Sequence, residues 1–181
     1  MQDGPGKEEL EDGSKYEGMF KNGKKCGKGV YQWADNSVYT GNWEDNNIEG
    51  EGEYRWPDGR VYKGSWKENK LHGKGVYTWK NGEVYDGEWD QGLKQGYGIW
   101  KGARSDSYIG EWCASKAHGY GVHTWPNGDR YEGQWNMCLK HGQGTDSFNT
   151  GDVYTGEYFN GKPHGKGEYK WAAGPVYVGE F

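Results

Sequence analysis

The stretch Tyr62-Lys63-Gly64-Ser65-Trp66 is followed by Gly73-Lys74-Gly75-Val76-Tyr77-Thr78-Trp79 and then by Lys80-Asn81-Gly82. In both segments every second residue is aromatic or glycine. Side chains on a strand alternate between the two faces of a sheet, so each segment predicts a strand with one face of rings and glycines. Gly82 can adopt the positive φ that a tight turn requires. The stretch therefore predicts a β-hairpin with one aromatic face, and the intervening residues Lys67–His72 are predicted to form a loop.

The same unit recurs every 23 residues along the whole chain. The pattern Tyr-x-Gly-x-aromatic occurs eight times, and seven Gly-x-Gly triplets keep the same spacing from Gly27 to Gly165. A period of about 20 to 50 residues is typical of stacked repeats. Eight first strands and seven second strands predict an all-β fold, an elongated, twisted, single-layer antiparallel sheet of about 15 strands in consecutive hairpins.

Aromatic residues are predicted to supply the core. The 181 residues include 11 Trp, 15 Tyr and 4 Phe, together with 34 Gly. Each ring can bury about 150–250 Å² of surface. A ring lies flat over a neighbouring strand only where no Cβ atom blocks it, which gives the strand glycines a physical reason. One unit buries too little to offset its ordering entropy, so neighbouring units must stack on each other.

Composition and motifs argue against several classes of function. The net charge of −5 argues against nucleic-acid binding by the whole surface. Three cysteines at scattered positions and the lack of a signal-peptide stretch favour a cytoplasmic protein. No phosphate-binding loop, nucleophile elbow or distinguished carboxylate pair occurs, so we expect neither enzymatic activity nor a cofactor.

A metal site is a weaker alternative at the histidines. Four of the five occupy one position of the repeat, just before Gly-x-Gly: His72, His118, His141 and His164. Equivalent positions lie about 9.6 Å apart, too far for two imidazoles to share one zinc ion. Cys113 and Cys138 fall close to His118 and His141 in sequence, which leaves a small Cys/His site open, although free thiols and hydrogen-bonded imidazoles are the favoured interpretation.

The unit resembles the MORN repeat, the membrane occupation and recognition nexus motif. Tyr62–Gly82 and Tyr131–Gly144 match that motif almost position for position. The resemblance covers residues 14–181 as seven full repeats and a half repeat, and leaves residues 1–13 as a flexible N-terminal extension. It implies a non-catalytic scaffold that anchors to membrane or cytoskeleton, or that holds a helix or peptide of a partner along its groove.

Three candidate binding surfaces follow. The first is an aromatic groove lined by the first strands: Tyr39, Trp43, Tyr62, Trp66, Tyr85, Trp89, Tyr108, Trp112, Tyr131 and Trp135. The second is a basic hairpin edge: Lys24, Lys25, Lys70, Lys94, Lys116, Lys140 and Lys162. The third is the last strand, predicted to pair with a partner or a second copy in a homodimer: Tyr177, Val178, Gly179, Glu180 and Phe181.

Two repeats depart from the pattern. In the fourth, Gly102 takes the place of the second-strand Trp and Ser105 that of the turn glycine. In the sixth, Asp146 and Phe148 replace the usual Tyr and Trp. Such departures indicate either loose joints or specialised contacts, and we favour loose joints.

The predicted function is a structural scaffold or adaptor of the cytoskeleton that binds protein partners. Array-only members of the resembled family suggest a cilium or flagellum axoneme and its microtubules as the setting. The alternative is a module that binds phosphoinositides or other anionic phospholipid through the basic edge, and that belongs to a larger protein. The acidic net charge ranks the scaffold first.

Overall fold

The structure, a computed structural model, describes residues 2–181. These residues form 16 β-strands and no helix. They divide into two compact units with the boundary between Leu93 and Lys94. Within each unit the strands follow sequence order, and consecutive strands pair antiparallel. The all-β fold of consecutive hairpins is therefore confirmed.

The first unit contains β1 (Gly4–Glu9), β2 (Lys15–Lys21), β3 (Lys24–Gln32), β4 (Val38–Glu44), β5 (Asn47–Arg55), β6 (Val61–Lys67), β7 (Lys70–Thr78) and β8 (Val84–Asp90). The second unit contains β9 (Leu93–Lys101), whose first residue precedes the boundary, and then β10 (Ser107–Cys113), β11 (Lys116–Thr124), β12 (Arg130–Asn136), β13 (Leu139–Ser147), β14 (Val153–Phe159), β15 (Lys162–Lys170) and β16 (Val176–Glu180).

The strand β1 corrects the predicted N-terminal extension. Gly4–Glu9 pair antiparallel with β2, so the described chain has 16 strands and not about 15. Glu8 pairs with Tyr16 as Tyr31 pairs with Tyr39, so a glutamate stands at the position that Tyr31 occupies in the next second strand. The signal was present in the sequence, because Gly4 and Gly6 precede Gly27 and Gly29 by one period of 23 residues.

The turn inside each hairpin is shorter than predicted. In place of a loop over Lys67–His72, only Glu68 and Asn69 connect β6 to β7, and both have positive φ, 48° and 64°. Two such residues define the turn that matches the twist of paired strands. The remaining residues continue the strand through a bulge at Gly73, where φ is 63°. The bulge absorbs the residues that the sequence pattern assigned to the loop.

The turn between hairpins follows the prediction. After β5 the N–H of Gly59 donates to the carbonyl oxygen of Trp56 at 3.1 Å, and the N–H of Trp56 donates to that of Arg60 at 3.0 Å. The fourth repeat keeps the same closure despite its altered sequence: the N–H of Gly102 donates to the carbonyl oxygen of Asp106 at 2.8 Å. Ser105 there adopts a φ of 68°.

The core of each unit is a row of first-strand rings on glycines. Tyr62 packs edge-on against Trp66 and Trp89, with centroids 5.1 and 5.6 Å away. The indole Nε1 of Trp66 donates to the carbonyl oxygen of Gly52 at 3.3 Å. Tyr62 also covers the paired glycines Gly64 and Gly75. Within each unit these contacts repeat from strand to strand, so a hairpin there completes the core of the hairpin before it.

Candidate protein-binding face

The ten first-strand residues predicted to line a groove are buried in the core. The tyrosines among them are at most 2 % exposed and the tryptophans at most 8 %. The phenol of each of these tyrosines donates to a carbonyl oxygen in its own strand, as Tyr39 does to Asn42 at 3.0 Å. Burial raises the pKa of these phenols well above the ordinary value of 10.0. These side chains hold the sheet together and offer little surface to a partner.

In the first unit, the accessible rings of the aromatic face belong to the second strands. In the first unit they form a continuous row, here called the ring ladder: Tyr31, Trp33, Tyr54, Trp56, Tyr77 and Trp79. Successive centroids lie 4.5, 5.0, 4.4, 5.4 and 4.4 Å apart. All but Tyr77 are partly exposed. The signal for them was the segment Gly-x-Gly-x-Tyr-x-Trp, whose rings share the aromatic face but lie further from the glycine pairs.

In the second unit the equivalent row is interrupted. His123 replaces a tyrosine and stacks on Trp125, with centroids 4.3 Å apart and an interplanar angle of 9°. Its Nε2 is buried without a hydrogen-bond partner among residues 2–181. Burial lowers the pKa of His123 below 6.5; Asp106 opposes that shift and Lys140 adds to it. The imidazole is therefore held neutral at physiological pH.

The departure at Asp146 is a specialised contact. The carboxylate is only 6 % exposed and accepts two hydrogen bonds from the ammonium of Lys140, at 2.5 and 2.6 Å. The phenol of Tyr158 donates to the same carboxylate at 2.5 Å. Burial, followed by this hydrogen bond, raises the pKa of Tyr158. The three side chains form one hydrogen-bonded group inside the aromatic face.

The predicted basic edge separates into two sets of lysines. Lys24, Lys70, Lys116 and Lys162 begin their strands and are exposed. The next position along the strand points to the aromatic face, where Ile48 and Ala117 are buried in other repeats.

Lys25, Lys94 and Lys140 occupy that inner position. Their ammonium groups lie over rings: Lys25 is 5.3 Å from the centroid of Tyr16, and Lys94 is 4.7 Å from that of Trp112. Lys25 also forms an ion pair with Glu8 at 2.9 Å. The exposed basic edge therefore consists of four lysines and not seven, because the side-chain alternation of the strand turns three inward.

The residues of the predicted last strand are accessible. Val178 is 72 % exposed, and Tyr177 and Phe181 are about two-fifths exposed. The Phe181 ring packs edge-on against Tyr154 at 4.8 Å, so the end of the segment is anchored. Pairing of this strand with a partner or with a second copy stays a prediction.

No group of three or more histidine, cysteine or acidic side chains within residues 2–181 is arranged to hold a metal ion. Cys26, Cys113 and Cys138 are free thiols. The ring of His141 lies against Phe159 at 5.6 Å. Residues 2–181 contain no helix that is long and apolar enough to span a membrane.

No curated protein matches the sequence. Among solved structures, the TCP10 domain of Danio rerio CPAP is similar with a TM-score of 0.52 and 14 % identity, over 98 % of this chain and 84 % of that chain. The SAS-4 (dCPAP) TCP domain of Drosophila melanogaster is similar with a TM-score of 0.51 and 6 % identity, over 98 % of this chain and 90 % of that chain. At these identities the likeness is one of fold.

The profile of the MORN repeat matches seven consecutive segments: residues 16–38, 39–59, 62–84, 85–107, 108–130, 131–153 and 154–176. They coincide with the hairpins described above and span most of the chain. The chain belongs to the MORN repeat family.

Proposed function

We propose that this chain is a non-enzymatic scaffold that binds protein partners on the ring ladder. The observation that carries the proposal is the row of rings from Tyr31 to Trp79, all but Tyr77 partly exposed, which the buried first-strand rings hold in place. Tyr and Trp are enriched in the energetically important centres of protein interfaces. A single-layer sheet positions such rings rigidly, which lowers the entropy lost on binding.

The form of the partner is an extended peptide. In the Drosophila structure of similar fold, the TCP domain is in complex with a proline-rich motif of Ana2. Proline-rich segments dock on rows of aromatic side chains with little loss of entropy, because their conformation is preformed.

We place this scaffold in the cytoplasm, on the cytoskeleton, and in particular on the microtubules of a cilium or flagellum axoneme. Support comes from the family resemblance to array-only cytoskeletal members. The fold likeness to TCP domains agrees with a scaffold role.

A peptide selection tests the proposal. A displayed library of random and proline-rich peptides is selected on the wild-type chain, on Trp33→Gln/Trp56→Gln, and on the outward-face control Val30→Gln. We expect peptides enriched on the wild type to lose binding at least tenfold on the ladder variant and to keep it on the control. Circular dichroism verifies that all three proteins are folded. If the enriched peptides bind the ladder variant as tightly as the wild type, the proposal is overturned.

A second candidate is binding of anionic phospholipid through Lys24, Lys70, Lys116 and Lys162. One observation favours it: the four lysines occupy one exposed position of the repeat, two in each unit. Lys24 has an acidic neighbour, Asp45, at 3.4 Å, which offsets part of its charge. Flotation with phosphoinositide vesicles, compared between wild type and the quadruple Lys→Glu variant, measures this binding. Salt-sensitive flotation lost in the variant supports it, and absence of wild-type flotation excludes it.

A further inference from the structure

The interrupted row of the second unit leaves an open space beside Trp125. In the first unit two ladder Trp residues meet the Tyr of the next second strand: Trp33 lies 5.0 Å from Tyr54, and Trp56 lies 5.4 Å from Tyr77. After Trp125 the next second strand carries Asp146 at the equivalent position. A short carboxylate thus stands where the ring ladder of the first unit places a phenol ring, as in Tyr54 and Tyr77.

The space is a cavity of about 350 Å³, here called the ring slot. That volume lies in the range of small-molecule sites, about 300–1,000 Å³. Its lining consists of Trp125, Pro126, Asn127, Asp129, Lys140, Asp146 and Phe148. All of these residues belong to the second unit.

At the junction of the second and third repeats, the equivalent space beside Trp56 is filled. There Arg60 lies over the ring of Trp56, 5.0 Å from its centroid, and its Nη1 donates to the phenol oxygen of Tyr77 at 3.2 Å. The equivalents of Arg60 and Tyr77, 69 residues further along the sequence, are Asp129 and Asp146. Two long side chains are replaced by two short ones, which is why the slot is open.

The polar groups of the slot suit a phenol. In the seventh repeat the phenol of Tyr169 donates to the carboxylate of Asp152 at 3.1 Å. Asp129 precedes Asp152 by one period and takes the same place relative to the slot. Hydrogen bonds from the N–H of Asn149 and from the side chain of Asn127 lower the pKa of Asp129, so it is an ionised acceptor at neutral pH.

The remaining charges favour a neutral ring over an ion. The ammonium of Lys140 lies 4.9 Å from the centroid of Trp125, where it attracts the face of an entering ring and repels a cation. The carboxylates of Asp129 and Asp146 line the same cavity and repel an anion. A phenol combines an apolar ring with one hydrogen-bond donor, and it meets each of these conditions.

We propose that the ring slot binds a tyrosine side chain of a partner polypeptide. The ring enters beside Trp125 and Phe148, and the phenol donates its hydrogen to Asp129. The proposal rests on the scaffold function above, and it assigns to the sixth repeat a specific residue to be recognised on the partner.

The probe for the test is p-cresol, the side chain of tyrosine. It is titrated into ¹⁵N-labelled wild-type protein while the indole N–H signals are followed by NMR. We expect the Trp125 signal to shift with half-saturation in about the millimolar range, since a ligand of this size binds weakly. Toluene, which lacks the hydroxyl, should bind at least threefold more weakly. In the wild-type protein alone, equal shifts of all indole N–H signals, or no shift of the Trp125 signal, would overturn the proposal.

A filled slot provides the decisive comparison. Lys140→Leu/Asp146→Tyr recreates the Leu71 and Tyr77 pair of the third repeat and fills the space from within. We expect p-cresol binding at Trp125 to fall at least tenfold in this double variant. Lys166→Leu, which removes an exposed lysine outside the slot, should keep the wild-type affinity. Unchanged binding in the double variant would contradict the assignment.

The two proposals fail in distinguishable ways. If selected peptides need the ring ladder but p-cresol does not bind at Trp125, the scaffold function stands and the ring slot does not. If p-cresol binds but no peptide depends on the ladder, the slot stands and the ladder function is lost.

Discussion

The phenol ring of Tyr62 lies directly against Gly75 of the paired strand, where a Cβ atom would overlap both Oη and Cζ of the tyrosine. The Tyr62 hydroxyl donates to the carbonyl oxygen of Ser65 at 2.9 Å, which fixes the ring in that position. Gly75 is not in the left-handed region of φ. Space, and not backbone conformation, therefore requires glycine at this position.

Replacing this glycine tests the origin of stability. Gly75→Ala should lower the free energy of unfolding by about 3 kcal/mol or more, because the ring has no room to move. Gly82→Ala is the matched control: nothing lies within 4 Å of its Cβ position, but φ is +89°. That substitution should cost only about 1 kcal/mol through backbone strain. Urea unfolding measures both, and equal losses would contradict the packing argument.

Substitutions at Lys140 and Asp146 should have strongly non-additive effects on the free energy of unfolding. Lys140→Met leaves a buried carboxylate without its cation and should lower the free energy of unfolding by about 3 kcal/mol. The double variant Lys140→Leu/Asp146→Tyr, which restores the pattern of the third repeat, should recover most of that loss. Urea unfolding of the single and double variants gives the comparison. A single variant as stable as wild type would show that the ion pair contributes nothing net.

His123 should make the second unit sensitive to acid. Burial holds its pKa below 6.5, so between 6.5 and that lower value the unfolded chain binds a proton that the folded chain does not. Stability should be full above pH 6.5 and fall as pH decreases through this window. His123→Tyr should remove that loss, and the control His164→Tyr at an exposed position should keep it. Thermal unfolding between pH 5 and 7.5 supplies the measurement. If stability depends on pH identically in the two variants, the prediction is contradicted.

The buried first-strand tyrosines should limit the stability of the protein at high pH. Burial raises the pKa of Tyr39, Tyr62, Tyr85, Tyr108 and Tyr131 above 10.0, so the unfolded chain releases these protons first. Stability is therefore full below pH 10 and falls above it, by up to about 1.4 kcal/mol per pH unit for each tyrosine. Tyrosinate absorbance and circular dichroism should change together. Ionisation of all tyrosines near pH 10 with the sheet intact would refute this.

Most of the fold could be predicted because its pattern is local and repeated. Alternation within Tyr62–Trp66 and Gly73–Trp79 predicts the strands, and Gly82 predicts the turn. The hairpin connection was predicted too long, because a bulge at Gly73 interrupts the alternation without ending the strand. The first strand β1 was missed, because Glu8 and Leu10 stand at its ring positions although Gly4 and Gly6 keep the period.

The candidate site was predicted less well. First-strand and second-strand rings share one face and one alternation, so the pattern does not distinguish Tyr62 from Tyr54. The two sets of rings differ in their contact with the paired glycines, because the first-strand phenols pack directly against the glycine backbone. Trp33 and Trp56 remain partly exposed. The inward turn of Lys25 and Lys140 also depends on where each hairpin turn begins.

The period of 23 residues, the antiparallel hairpins and the pairing of rings with glycines follow from the sequence, because each depends on neighbours along one or two strands. Which rings are buried, which lysines face inward and where the ring slot opens depend on contacts across several strands. Those contacts exist only once the hairpins have stacked, because Trp125, Lys140 and Asp146 meet through the register of β11, β12 and β13.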